Sequence, residues 1–371
     1  VSGQIAAGTG ASDADSIAAG VVLDEARKAA LLSKPLLLSE ISSKNGFAAQ
    51  VTVDPTQRYQ EMDGFGAFLG SGTVAGSMQD LMLPKVVDIG MSMARFGVID
   101  TEFEPINDNA DPYATDYDAF NLEALPLDWM RTLRTSSGIE KFIVTMWSPP
   151  SWMKANRTLN SFYEAYNNKL EPRYYEEYAE HLVALVKTVK EHTGIDLYAI
   201  SLQNEPQFNE PYASCVINPE EYRDLLRVVG PRFRAEGLST RFFLPEALPQ
   251  QKAIDKYIRT IAEDPVASEF MDLMAIHNYD ADGIKVGGPG ASEWADMFAW
   301  AQEIRPTKTW MTETSGHADD WSGAETLAGN IYNALKSGNA SAWIFWSFHV
   351  TPDAAKFGLL KNGEETARYA V

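Results

Sequence analysis

Glu205 and Glu313 are the residues of this chain whose surroundings point most directly to chemistry. The apolar run 197–202 reads as a buried strand ending in Gln203, Asn204, Glu205 and Pro206, and the proline stops the ladder just past the acid. Farther on, the run Thr309-Trp310-Met311-Thr312 likewise gives way to one carboxylate, Glu313, before Ser315 and Gly316. Two such carboxylates can divide one task. One protonates a departing oxygen while the other handles the electron-poor carbon left behind, which is what cleavage of a glycosidic bond requires. A lone strand-end glutamate is ordinarily solvated or ion-paired, so the inference rests on the pair.

The elements that must position this pair follow from hydrophobic patterning. Strand-like runs occur at 64–69, 91–98, 141–147, 197–203, 241–245, 273–278, 308–312 and 342–348, with helical patterns clearest at 174–192, 219–236, 254–263, 292–304 and 326–336. Repeated strand–helix alternation of this length predicts an α/β protein with a parallel sheet closed as a (β/α)8 TIM barrel, in preference to an open doubly wound sheet. Such a barrel carries its reactive groups at the carboxyl ends of its strands. Glu205 then follows strand four and Glu313 strand seven, and their wide separation in sequence is no obstacle to meeting across the mouth. No Gly-x-Gly-x-x-Gly follows an early strand, so no dinucleotide cofactor is expected.

Asn204-Glu205-Pro206 and Thr312-Glu313 resemble the acid/base and nucleophile segments of retaining clan A glycoside hydrolases. Asp63-Gly64-Phe65-Gly66-Ala67, Trp147-Ser148-Pro149-Pro150-Ser151-Trp152 and His277-Asn278-Tyr279 resemble glycoside hydrolase family 30 more narrowly, and the similarity runs over roughly 51–348. That family includes glucosylceramidases, β-glucosidases, endo-β-1,6-glucanases and xylanases. The resemblance implies a retaining β-glycosidase in which Glu205 is the general acid/base and Glu313 the nucleophile. Physically, Glu205 should then sit in an apolar or negatively charged setting that keeps its proton, and Glu313 among donors that keep it ionised. Arg95, in Met93-Ala94-Arg95-Phe96 at the end of strand two, matches a family arginine suited to that second task. Asn204 would bind the sugar 2-hydroxyl, Tyr279 would donate to Glu313, and His277 would hold a hydroxyl or a neighbouring side chain. Trp147 and Trp346 are expected as walls of the sugar site, Trp152 and Trp321 as outer subsites, and Asp100 or Glu102 as a hydroxyl-binding acid. A related clan A family with the same mechanism, or a carbohydrate-binding barrel without catalysis, are the rival readings. Retention of Arg95, Asn204 and both glutamates argues against the second.

Composition narrows the partners. With 371 residues and a formal net charge of −20, the chain repels nucleic acid, anionic lipid and polyanionic substrates, so a neutral carbohydrate is the expected partner. No apolar run approaches the roughly 18 residues of a membrane span. The one cysteine, Cys215, excludes an intrachain disulfide and reads as a buried thiol. No metal site is expected, because no second histidine lies at i+3 or i+4 from His277 and the other histidines are scattered. Triplets at Asn156 and Asn339 match the N-glycosylation pattern, which matters only in a eukaryotic secretory host. A start at Val1 without methionine is consistent with a processed, secreted chain or with an arbitrary boundary of the sequence, and no signal peptide decides between them.

The expected organisation is a tail with a possible helix at 1–34, short strands at 35–62, the catalytic barrel at 63–350 and a C-terminal segment at 351–371 that reads as truncated. The resemblance also implies a β-sandwich beside the barrel, of which 35–62 would be at most a remnant. The helical pattern at 13–33 is then expected to cover the flank that the rest of the sandwich would protect, and 364–371 to begin the last barrel helix.

Overall fold

The computed structural model describes residues 36–42, 48–161, 167–248, 252–279 and 289–371. The chain divides into two units, residues 1–60 and 61–371. In the first, β1 (Leu36–Ser42) and β2 (Ala48–Val53) pair antiparallel, with a register irregularity between Leu38 and Ile41. The expected helix at 13–33 lies outside the described residues.

The second unit is a closed parallel barrel of eight strands. They are β3 (Gly64–Ser71), β4 (Met93–Val98), β5 (Lys141–Met146), β6 (Ala199–Ser201), β7 (Arg241–Ala247), β8 (Leu273–His277), β9 (Lys308–Glu313) and β10 (Ala340–Phe345), arranged in chain order with β10 pairing back onto β3. These are the eight strands the alternation predicts, with altered limits. β6 is shorter than 197–203 because the backbone beyond Ser201 leaves the ladder, and β7 runs on to include Glu246. β10 ends before Trp346. The helices are α1 (Gly76–Asp88), α2 (Leu127–Ser136), α3 (Tyr175–Thr193), α4 (Pro219–Ala235), α5 (Lys252–Ala262), α6 (Pro289–Ile304) and α7 (Trp321–Lys336). α1 and α2 escape the sequence pattern because the first carries Pro84 in its interior and the second is only 10 residues long. α7 begins earlier than 326 because Asp320 caps it, its carboxylate accepting from the Ser322 and Gly323 N–H groups.

Strands covered on both faces read as continuous apolar runs. Met93, Ile143, Ala199, Phe243, Leu273, Trp310, Ala342 and Ile344 fill the barrel interior. Their neighbours Ala94, Val144 and Ile200 belong instead to the main core, with helix residues such as Leu133, Leu182 and Leu225. Gly66 is required at its place in β3, since a Cβ there would lie 2.3 Å from the Met93 carbonyl oxygen.

The expected last barrel helix is not what the C-terminal segment forms. Beyond β10 the chain builds a small sheet from β11 (His349–Val350), β12 (Leu360–Lys361) and β13 (Glu364–Glu365), then a 3-10 turn, Ala367–Ala370. Asn362 and Gly363, both at positive φ, make the tight turn between β12 and β13 that breaks any helix there. Arg368 is buried and donates to the carbonyls of Gly358 and His317, tying this tail to the loop after β9.

The amino-terminal end of the barrel is closed by Asp63. Its carboxylate accepts from Trp310 Nε1 at 2.9 Å, Lys308 Nζ at 3.0 Å and Tyr198 Oη at 3.2 Å, while Lys141 Nζ donates to its carbonyl at 2.7 Å. The motif around Asp63 is therefore a plug remote from the strands' carboxyl ends. Removing one partner of a fully buried ion pair costs about 3–5 kcal/mol, and Lys308 is partly solvated, so Asp63→Ala should lower the unfolding free energy by roughly 2–3 kcal/mol. Urea titration measures this, with a change below about 0.5 kcal/mol contradicting the assignment.

Candidate active site

The carboxyl ends of the strands converge on a cluster of buried charge. Glu313 is the last residue of β9, and its carboxylate accepts from Arg95 Nη1 at 2.5 Å and Tyr279 Oη at 2.7 Å. Burial and Glu313 both hold the Tyr279 phenol well above its ordinary value, so it stays a neutral donor. Arg95, fully buried on β4, also donates through Nη2 to Asn204 Oδ1 at 3.0 Å and through Nε to Thr145 Oγ1 at 3.0 Å. Burial opposes its charge, but Glu246 and Glu313 outweigh that and keep it a guanidinium.

Glu205 lies beyond β6 in a backbone conformation that β-carbon-bearing residues seldom adopt, with φ of 43°. Its neighbours over-determine that turn. The Asn204 N–H donates to the Met146 carbonyl at 2.7 Å, the Glu205 N–H to the Glu246 carbonyl at 3.2 Å, and the Gln203 amide to the carbonyls of Trp147 and Asn204. Strand-end acid and neighbouring strands are thus locked in register. One carboxylate oxygen of Glu205, one of Glu313 and a ring nitrogen of His277 all lie within 4.8 Å of one another.

His277, the last residue of β8, is fully buried between carboxylates. Nδ1 sits 2.9 Å from Glu205 Oε1 and Nε2 3.2 Å from Glu246 Oε1, with Glu313 Oε2 at 3.8 Å. Burial disfavours the imidazolium, yet Glu313, Glu205 and Glu246 outweigh it and push His277 up to about 9. Both ring nitrogens are thus engaged by carboxylates. Glu246 also lies 3.1 Å from Arg95 Nη2; burial raises its pKa, but Arg95 and His277 bring it below the usual carboxylate range.

Aromatic residues wall one side. Phe68, Trp147 and Trp346 form a mutual cluster with ring centroids 4.3–5.6 Å apart, and the Arg95 guanidinium lies 4.8 Å from the Trp147 ring. Trp147 presses on Gly97, where a Cβ would meet its ring at 2.5 Å. Trp147 is buried and Trp346 half-buried, so Trp346 is the more accessible face.

The family-30 TIM-barrel domain model of the glycosyl hydrolases matches residues 73–354. The chain belongs to glycoside hydrolase family 30. A glucuronoxylanase of Bacillus subtilis (strain 168) is 25% identical over 309 residues, covering 81% of this chain and 63% of the relative. A putative glucosylceramidase of Caenorhabditis elegans is 24% identical over 327 residues, covering 80% of this chain and 60% of the relative. The chain thus spans under two thirds of the length of either. Among solved structures, the family 30 subfamily 8 xylanase of Clostridium acetobutylicum superposes with a TM-score of 0.64 at 24% identity, over 84% of this chain and 70% of that one.

On this family-30 barrel, all eight site residues expected from sequence gather at one end. Arg95, expected to keep Glu313 ionised, donates to it, and His277, expected to hold a hydroxyl or a neighbouring side chain, lies against the carboxylates of Glu205 and Glu246. Of the outer aromatics, Trp321 is 66% exposed at the start of α7. Trp152 is half-buried, donates to the Glu104 carbonyl at 3.0 Å and stacks edge-on against Tyr174, a scaffold position. Glu102 accepts the Ser151 N–H at 2.5 Å, whereas Asp100 is exposed. Cys215 is a buried thiol, raised to about 11 by burial.

Three further residues escaped the sequence reading. Glu246 hid inside Leu244-Pro245-Glu246-Ala247, although a third carboxylate at a strand end was a usable signal. Tyr212 is held above its ordinary value by burial and then by Glu205, Glu210 and Glu313. Lys154 follows the tryptophan motif and is sealed from solvent, its ammonium donating to Ser148 Oγ and to the carbonyls of Leu159 and Ser214. It ties the loop that follows Trp147 to the loop after β6, and burial lowers it to about 8. Nothing in its local sequence marks it as buried.

Proposed function

We propose that this family-30 barrel is a retaining β-glycoside hydrolase acting on neutral β-linked glycosides or polysaccharides. One observation carries the reading: the Glu205 and Glu313 oxygens lie within 4.8 Å of one another, in a site where Arg95 and Tyr279 both donate to Glu313. Retaining enzymes hold their carboxyl groups about 5–5.5 Å apart, whereas inverting enzymes leave roughly 6.5–9.5 Å for a water. In the first step Glu313 attacks the anomeric carbon as the bond to the aglycone breaks, and the Glu205 proton goes to the departing oxygen. In the second, Glu205 takes a proton from water, whose oxygen displaces Glu313 from the same carbon. Donation from Arg95 and Tyr279 suits a carboxylate that must stay ionised and later leave. Arg95 also occupies Asn204 Oδ1, which turns the amide nitrogen toward the 2-hydroxyl, and Trp346 offers a ring face to the sugar.

Neutral substrates are favoured by the net charge of −20. Lys356, a cation after β11, lies over the Phe357 ring at 4.7 Å. The named relatives differ in sugar, so the substrate rests on the loops. The test is hydrolysis of aryl β-glycosides, β-glucans and xylan, with the first-formed anomer of an accepted substrate read by proton NMR. The β-anomer is expected, and the α-anomer, or no hydrolysis on any substrate, would overturn the reading.

A further inference from the structure

Glu246 belongs to no step of that mechanism, yet it is fully buried in the middle of it. It sits at φ of 57°, a strained conformation for a residue with a side chain, at the carboxyl end of β7. Its carbonyl accepts the Glu205 N–H, and its carboxylate lies 3.1 Å from Arg95 and 3.2 Å from His277. A carboxylate desolvated to this extent persists where fixed cations compensate it.

We propose that Glu246 is a positioning residue that holds His277 as a doubly protonated donor to Glu205, and so fixes the number of protons the site carries and the alkaline limit of its activity. The proposal rests on the assignment of Glu205 as acid/base. The charge count makes the case. Arg95 and His277 supply two positive charges against three carboxylates, Glu205, Glu246 and Glu313. With Glu246 and Glu313 ionised, the cluster is neutral when one further proton is present, and Glu205 carrying that proton is the form needed to cleave the glycosidic bond. Among the described residues, the other titratable groups that act on the cluster are phenols and one carboxylate: Tyr279 after β8, Tyr222 on α4, and Tyr212 and Glu210 in the loop after β6. None of these adds a positive charge. If Glu246 were neutral, the same protonated state would carry one net positive charge, and its proton would leave at lower pH whichever group released it. Burial of the cluster magnifies that effect.

The experiment has two arms on the full chain. In the first, 15N-histidine NMR follows the imidazole of His277 in the wild type and in Glu246→Gln, its signals assigned by their loss in His277→Gln. We expect both ring nitrogens protonated at pH 7.5 in the wild type, in keeping with a side chain pushed up to about 9, and loss of the second proton at lower pH in Glu246→Gln. In the second, the alkaline limb of kcat/KM for Glu246→Gln should move to lower pH by at least about one unit, roughly a tenfold change in the proton equilibrium. A merely structural role would scale activity down at every pH and leave the limb in place. A neutral His277 in the wild type at pH 7.5, or an unmoved limb, overturns the proposal. A neutral His277 in the wild-type spectrum overturns the proposal even if Glu246→Gln fails to fold. That arm needs no substrate, so a wrong role for Glu205 would show in its own leaving-group series and leave the spectrum unaffected.

Discussion

Glu313→Ala should abolish turnover on every substrate, with kcat reduced by on the order of 10⁴–10⁶-fold, the range found when a covalent nucleophile is removed. The physical reason is that no neighbouring carboxylate among the described residues is placed to take over. Glu246 is committed to Arg95 and His277. Water entering the space left by the side chain would lack a base on that face of the sugar. Added azide should fill the cavity and attack directly, giving the α-glycosyl azide from an activated β-glycoside by a single inversion. The variant should remain folded, since Arg95 keeps Glu246, Asn204 and Thr145 as partners. Loss of only about tenfold, or a β-azide product, would remove Glu313 from the nucleophile's role.

Glu205→Ala should show a loss that depends on the leaving group. Where the aglycone is a poor leaving group, the missing proton should cost roughly 10²–10⁴-fold, the usual worth of positioned general acid catalysis. Where the aglycone is a dinitrophenol, the first step needs no proton. There the intermediate should form readily and accumulate, because the second step lacks its base; azide, which needs no base, should speed breakdown and give the β-glycosyl azide. Opposite azide anomers from the two variants would assign the two carboxylates independently. An equal loss with good and poor leaving groups, without azide rescue, would mean that Glu205 serves structure only.

The barrel and its chemical centre are legible in sequence for definite reasons. Parallel strands buried on both faces announce themselves as apolar runs, and a polar residue at such a run's carboxyl end stands out; Glu205 and Glu313 do so. Glu246 and Lys154 do not, because their burial is created by distant segments: Arg95 and His277 come from two other strands, and Ser214 lies 60 residues from Lys154. The C-terminal segment misled for a different reason. Its last eight residues have a composition that tolerates a helix, and only the turn at Asn362 and Gly363 with the anchoring of Arg368 decides otherwise. The Asp63 motif marks the family by its sequence, yet its contacts lie at the opposite end of the barrel from the chemistry.

The covalent intermediate is the point on which the account stands. A 2-deoxy-2-fluoro β-glycoside of an accepted sugar, bearing a dinitrophenyl leaving group, should inactivate the enzyme in time and raise its intact mass by one fluorosugar. Peptide mapping should place that sugar on Glu313 and nowhere else. Steady turnover of an accepted substrate with no covalent species, or a label on Glu205, Glu246 or any other residue, would contradict it.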